Sequence, residues 1–403
     1  MNTYGTGWPQ TNAFGSTSGS FGVNNAGTGF GSANPNGTGS TFSQNQNYQK
    51  GKVEIKLKDP IACDSISDIS INRDKIAIST WNNQLYIFEK NKTTTTSYVH
   101  QSTEPFKAIV SIDNPYDDFL GISRCALGDN ALFFATISGY IKSTDRLTDK
   151  VKDDDIGTHS HLITGLKIFN NSHIASCSLD GKVCIWDIRH GANNRLCLLH
   201  ECGSEERCIG LNVTQNSICV ATDKFKVHRF DIRSPSAPSG VEKSTMLAIS
   251  DNTTKEGQMI TCFSITRANP LKYIIGTGGG CLEIFKDNIK NKKTHFYPNQ
   301  SNTKAVEPID AVAICRDYAL VGCKVGGATT VSEKHYAVVR FDLKNEPRFL
   351  SFKDPAPHKF QDPITALQLE EDGKGYYVAT GYNKAFFSNK KEIPKLYYVS
   401  GYT

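Results

Sequence analysis

Cys197, His200, Cys202 and Cys208 are the residues whose types and spacing come nearest to metal chemistry in this sequence. A structural zinc site takes its four ligands in fixed, closely paired spacings, so that short loops can close a tetrahedron. The spacing here matches no common zinc module, and Cys208 falls inside an apolar run that reads as a strand, so no metal is expected. The run Gly276-Thr277-Gly278-Gly279-Gly280 invites a phosphate. A phosphate-cradling loop presents its anion to the N-terminus of a following helix, whereas this run lies between two short β-type segments and reads as a turn. The chain contains no Gly-x-Ser-x-Gly elbow, P-loop or His-Glu-x-x-His. No catalytic residue, cofactor or small-molecule substrate is expected, and recognition is the chemistry that remains.

The elements that position side chains are clearest in residues 161–189, HLITGLKIFNNSHIASCSLDGKVCIWDIR. This stretch reads as a strand over 163–169, an Asn-Asn turn, a strand over 173–178, an Asp-Gly turn, and a strand over 182–186. Asp180-Gly181 between alternating apolar runs is a strong hairpin signal, because those residue types accept the left-handed backbone such turns need. Trp186-Asp187 closes the unit and is the WD signature of a propeller blade. In such a blade a His leading in, a Ser on the middle strand, the turn Asp and the Trp share a hydrogen-bonded brace. His159 or His161 and Ser176 or Ser178 stand at workable positions; we assign the brace to His161, Ser178, Asp180 and Trp186. A His there is structural rather than catalytic.

The same grammar recurs at 67–89, 121–145, 207–233, 259–285, 309–343 and 364–387. The closing positions are spaced by roughly 40–56 residues, which fits propeller repeats once loop insertions are allowed. Seven four-stranded units closed in a ring leave no exposed sheet edge. The expected fold is therefore an all-β, seven-bladed WD-repeat propeller over residues 50–403, with an N-terminal strand near 53–57 completing the last blade. Residues 1–49 hold no Lys, Arg, Asp or Glu and show neither a strand nor a helix period, so a disordered Gly/Ser/Asn-rich tail is expected. Three isolated pairs in it, Phe14-Gly15, Phe21-Gly22 and Phe30-Gly31, have the character of nuclear-pore permeability segments. Twelve cysteines without a secretory signal point to a reducing compartment. No apolar run is long enough for a transmembrane helix, so no membrane insertion is expected. Lys plus Arg number 45 against 40 acids, a formal charge of +5 that tolerates an acidic partner.

Four features appear in order along the chain: the first unit DSISDISI…KIAISTWNNQLYIFE at 64–89, Glu206-Arg207-Cys208 opening the fourth, DPITALQL…YYVATGY at 362–382, and the Phe-Gly tail. With them the sequence resembles the Rae/Gle mRNA export factor family, WD-repeat proteins docked at the nuclear pore. The resemblance implies a non-enzymatic scaffold in mRNA export whose upper face holds an acidic GLEBS-type hairpin of a nucleoporin. It also implies single-stranded RNA or mRNP as a further partner, and a place in the nucleus, at the pore in the nuclear envelope, with cytoplasm as a second location. Turn residues between the second and third strands line that face, so Trp81, Lys224 and Tyr382 become partner contacts, and Arg207 a second cation for partner carboxylates. For RNA the resemblance indicates Phe341, Lys344 and Arg348. This sequence departs from the family at Leu179, where a Trp is usual, and at Gln258-Met259-Ile260, where relatives carry a partner-binding Arg. The alternative is a Bub-type mitotic checkpoint propeller, which binds such hairpins on kinetochore proteins; Glu206-Arg207-Cys208 and the Phe-Gly pairs favour export.

Overall fold

The computed structural model describes residues 51–57, 64–91, 106–113, 121–189, 195–201, 206–224, 226–232, 245–248, 260–266, 271–286, 294–296, 308–315, 318–325, 335–343, 358–381 and 393–400. The expected tail lies outside them. Every regular element among the described residues is a strand, and the strands form seven four-stranded antiparallel sheets. The innermost strands, in blade order, are Ile66–Asn72, Ile122–Leu127, Ile163–Phe169, Cys208–Val213, Ile260–Ile265, Ala311–Ile314 and Ile364–Leu369. Each touches the next, and the seventh touches the first, so the molecule is a closed seven-bladed propeller.

The second strand of each blade explains why the repeats looked so apolar. Lys75–Thr80, Leu132–Thr136, Ser217–Thr222 and Gly375–Thr380 are buried almost throughout, because a neighbouring blade covers each face of the sheet. The apolar core is correspondingly divided into clusters that each span two adjacent blades. One such cluster holds blades 1 and 2 together around Leu85, Ile87, Ile122 and Phe134. Another joins blade 7 to blade 1 through Ile66, Ile69, Tyr377, Leu396 and Tyr398.

A phrase of Ile followed by Ser or Thr opens most inner strands. In six blades the ladder slips by one residue at this point, as between Ile66 and Asp68 or Ile163 and Gly165. Such a bulge takes its extra residue out of register and bends the strand. The freed hydroxyl then donates to the carbonyl that opens the next blade: Ser67 to Ile122 (2.6 Å), Ser123 to Ile163 (2.8 Å), Thr164 to Cys208 (2.8 Å) and Thr261 to Ile309. Side chains further along reach the otherwise unpaired inner edge of the next sheet. The amides of Cys125 and Leu127 donate to Asp68 (3.2 Å) and Ser70 (2.9 Å), and the Asn212 amide donates to the Phe263 carbonyl (3.0 Å).

The ring is closed by chain segments far apart in sequence. Lys52–Ile55 pairs antiparallel with Lys395–Ser400 and forms the outer strand of blade 7. Lys52 Nζ lies 4.2 Å from the Phe360 ring centre and 4.4 Å from that of Tyr397, joining blades 6 and 7. On the other side of blade 7, Lys90 Nζ of blade 1 donates to Glu370 (2.9 Å) and lies 2.7 Å from the Tyr398 hydroxyl.

Candidate partner-docking face

In an antiparallel blade the start of the inner strand and the turn between the second and third strands meet at one rim. That rim carries four features of interest: the blade 3 brace, Trp81, Arg207 and Lys224. The opposite rim carries the end of the third strand, and with it Phe341.

The blade 3 brace is a chain of donors. Trp186 Nε1 donates to Ser176 Oγ (2.7 Å), the Ser176 hydroxyl lies 2.8 Å from His159 Nε2, and His159 Nδ1 lies 3.0 Å from Asp180 Oδ2. With the indole fixed as a donor to Ser176, the imidazole bridges the Ser176 hydroxyl and the Asp180 carboxylate. Desolvation pushes the Asp180 carboxyl up, but the bond from His159, with the backbone N–H groups of Lys182 and Ser160, outweighs it and holds the group at about 2. This corrects the assignment of His161 and Ser178. His161 is exposed, and its carbonyl accepts from Ser178 Oγ (3.0 Å), whose oxygen also accepts the Asp180 N–H. Ser178 ends its strand and is used up by the turn, while Ser176, two residues inward, faces the indole. Trp186 packs against Gly157 so closely that a Cβ there would fall within the ring's own volume.

Blade 4 places a carboxylate at the lead-in to its inner strand, in the register that His161 holds in blade 3. Glu206 accepts from Thr222 Oγ1 (2.6 Å) and Lys226 Nζ (3.0 Å), with His228 Nε2 at 3.4 Å. Burial pushes this carboxyl up, yet Thr222, Lys226 and His228 bring it down to about 2. Sequence reasoning missed the role of Glu206; the available signal was Lys226 and His228, two apart on a strand and therefore on one face. The locked Glu206 sets the next residue, Arg207. Its N–H donates to Asp223 Oδ1 (2.9 Å), and the Asp223 N–H donates back to its carbonyl (3.0 Å). The Arg207 side chain is exposed, as is that of Lys224 one residue beyond Asp223, and neither cation has an ion-pair partner among the described residues. Two cations thus stand on one doubly pinned turn.

Trp81 sits half-buried at the turn of blade 1, with its N–H donating to the Ser65 carbonyl (3.1 Å). Gly121 of blade 2 abuts its carbonyl, leaving no room for a side chain. Tyr140, opening the third strand of blade 2 on the same rim, is 37% exposed, a large aromatic that the sequence reading passed over. Tyr382, Lys344 and Arg348 lie outside the described residues. Phe341 is 2% exposed and packed with Val321, Val339 and Leu343, in the register Trp186 holds in blade 3. A ring with no open face cannot stack on a base, so the expected RNA contact at Phe341 is withdrawn. Among the described residues no group of three His, Cys, Asp or Glu could hold a metal. The Cys197 and His200 side chains and Cys202 lie outside that description.

No family model matches the chain. The mitotic checkpoint protein bub-3 of Caenorhabditis elegans is 24% identical over 264 residues, covering 63% of this chain and 69% of its own length. The solved structures of U3-55K and of the RRP9 WD40 repeats each align with a TM-score of 0.62, over 87% of this chain and 98% and 97% of theirs. Their identities are 12% and 11%, and at that level they speak for the WD-repeat propeller fold alone.

Proposed function

We propose that this chain is a non-catalytic, protein-binding propeller of the mitotic checkpoint kind, which captures an acidic segment of a kinetochore protein across the rim bearing Trp81, Arg207 and Lys224. The observation that carries the proposal is the blade 4 turn, where two exposed cations without an ion-pair partner among the described residues are held on a backbone pinned from both sides. Carboxylates of an extended partner are what such a turn would bind, through charge-assisted hydrogen bonds. The half-buried Trp81 and the exposed Tyr140 supply apolar anchors on the same rim. The likeness to a mitotic checkpoint protein supplies the biological class, and the expected location is the nucleus.

A nuclear-pore export role is the second reading. It is favoured by the three Phe-Gly pairs of residues 1–49 and by Glu206-Arg207-Cys208. In that case the partner would be a nucleoporin hairpin of the GLEBS type, with mRNP as cargo. Tagging the full chain at its own locus separates the two. Recovery of kinetochore proteins from mitotic cells, with signal at kinetochores, supports the checkpoint reading. Recovery of pore proteins with a rim signal in interphase would replace it by the export reading.

A further inference from the structure

We propose that the axial channel, whose wall includes Trp81 but not the Arg207–Lys224 turn, is a second binding site that seats a compact multiply charged phosphate compound between Arg124 and Lys167. The channel encloses about 610 Å³ and is lined by the inner strands of all seven blades, a volume in the range of small-ligand sites.

Arg124 is the third residue of the blade 2 inner strand and is held as a fixed fork. Its Nη1 donates to the carbonyls of Ser123 (2.7 Å) and Ser67 (3.3 Å), and its Nε donates to that of Thr164 (2.7 Å). Three blades therefore orient one guanidinium, and its Nη2 has no partner among the described residues. Lys167 lines the channel on the adjacent strand, and its ammonium likewise has no partner among them. The two inner strands that carry these cations touch each other.

The tier three residues beyond the bulge needs only a small group to close the wall, as Ala126 shows in blade 2. In five blades it instead holds Ser70, Lys167, Asn212, Ser264 and Gln368. Asn212 spends its amide nitrogen on Phe263, which leaves its oxygen for a ligand hydroxyl. The channel also holds carboxylates. Asp68, on the neighbouring blade 1 strand, accepts the N–H groups of Ile69 and Cys125 and keeps its charge, whereas the charge of Glu370 is met by Lys90, with Tyr377 and Tyr398 donating as well. Asp310 belongs to blade 6, on the far side of the ring from both cations, and Glu371 to blade 7, which blade 1 separates from blade 2. A guanidinium fork beside an ammonium matches phosphate oxygens, since each oxygen finds an N–H donor and a full positive charge.

The test is calorimetric titration of the full chain with inorganic tripolyphosphate at physiological salt, where loose surface attraction is screened. Saturable binding of one anion per chain is expected. Lys167→Ala and Lys167→Gln should each weaken it by about tenfold or more, with an unchanged thermal midpoint because the Lys167 side chain holds no bond among the described residues. The Arg207→Ala, Lys224→Ala double variant should bind as the parent does. Absence of binding at millimolar anion, full binding by the folded Lys167 variants, or loss in the double variant would each overturn the proposal.

Discussion

Ser176 occupies the centre of the blade 3 brace, between the Trp186 indole and His159. Ser176→Ala should leave a buried N–H without an acceptor and cost about 1–3 kcal/mol, read as a lower urea midpoint with an unchanged slope. Asp180 and Glu206 both have folded pKa values of about 2, below the ordinary carboxylate values near 4. A depressed folded pKa contributes stability that is complete above the unfolded value and is lost as pH falls through the folded one. The urea midpoint of the parent should therefore drop between about pH 4 and about pH 2, and the Asp180→Asn, Glu206→Gln double variant should lose less over that interval. An equal drop in both would place the acid sensitivity elsewhere. On the docking rim, Trp81→Ala and Arg207→Ala should each weaken capture of an acidic partner peptide by about tenfold or more, with native circular dichroism. If both folded variants bind as tightly as the parent, the partner does not use this rim.

The bulge and its hydroxyl are the element that turns seven separate sheets into a ring. Thr164→Val removes the donor to the Cys208 carbonyl while keeping the shape of the side chain. The expected loss is about 1–3 kcal/mol, since the acceptor stays buried. The contrast is Gly157→Ala, which changes no hydrogen bond but drives a methyl into the Trp186 ring. Overpacking of this kind costs about 1–3 kcal/mol, and a thermal midpoint equal to the parent's would mean that the indole can move aside. The Ile-Ser and Ile-Thr phrases that open the inner strands were in plain view in the sequence. Their purpose was not, because a bulge is defined by the partner strand and the acceptor lies 40–55 residues away.

At the scale of the molecule, stability depends on joining the first strand to the last. A chain beginning at Gly51 keeps Lys52–Ile55 and should melt with the full-length protein, provided the tail buries nothing against the propeller. A chain beginning at Leu57 lacks that strand, exposes the edge of Lys395–Ser400, and removes Lys52 from the Phe360 and Tyr397 rings. Its thermal midpoint should fall by several degrees. Equal midpoints for the two truncations would show that blade 7 closes without its outer strand.

The sequence by itself determined the repeat grammar, the seven-bladed class and the turn positions, because strand alternation and Asp-Gly or Asn-Asn turns are local consequences of backbone sterics. It also placed Trp81 and Lys224 at turns and Arg207 at a blade entry, which share a rim because antiparallel order decides which strand ends lie together. Which of two histidines and two serines enters the brace was decided only by tertiary structure, because His159 and His161 differ in what packs over them rather than in any local propensity. Phe341 is the same lesson in reverse: its strand-end position allowed an exposed ring, and the apolar cluster between blades 5 and 6 buried it. The carboxylate of Glu206 and the fork of Arg124 acquire meaning from partners on other strands, which no reading of neighbours along the chain can supply.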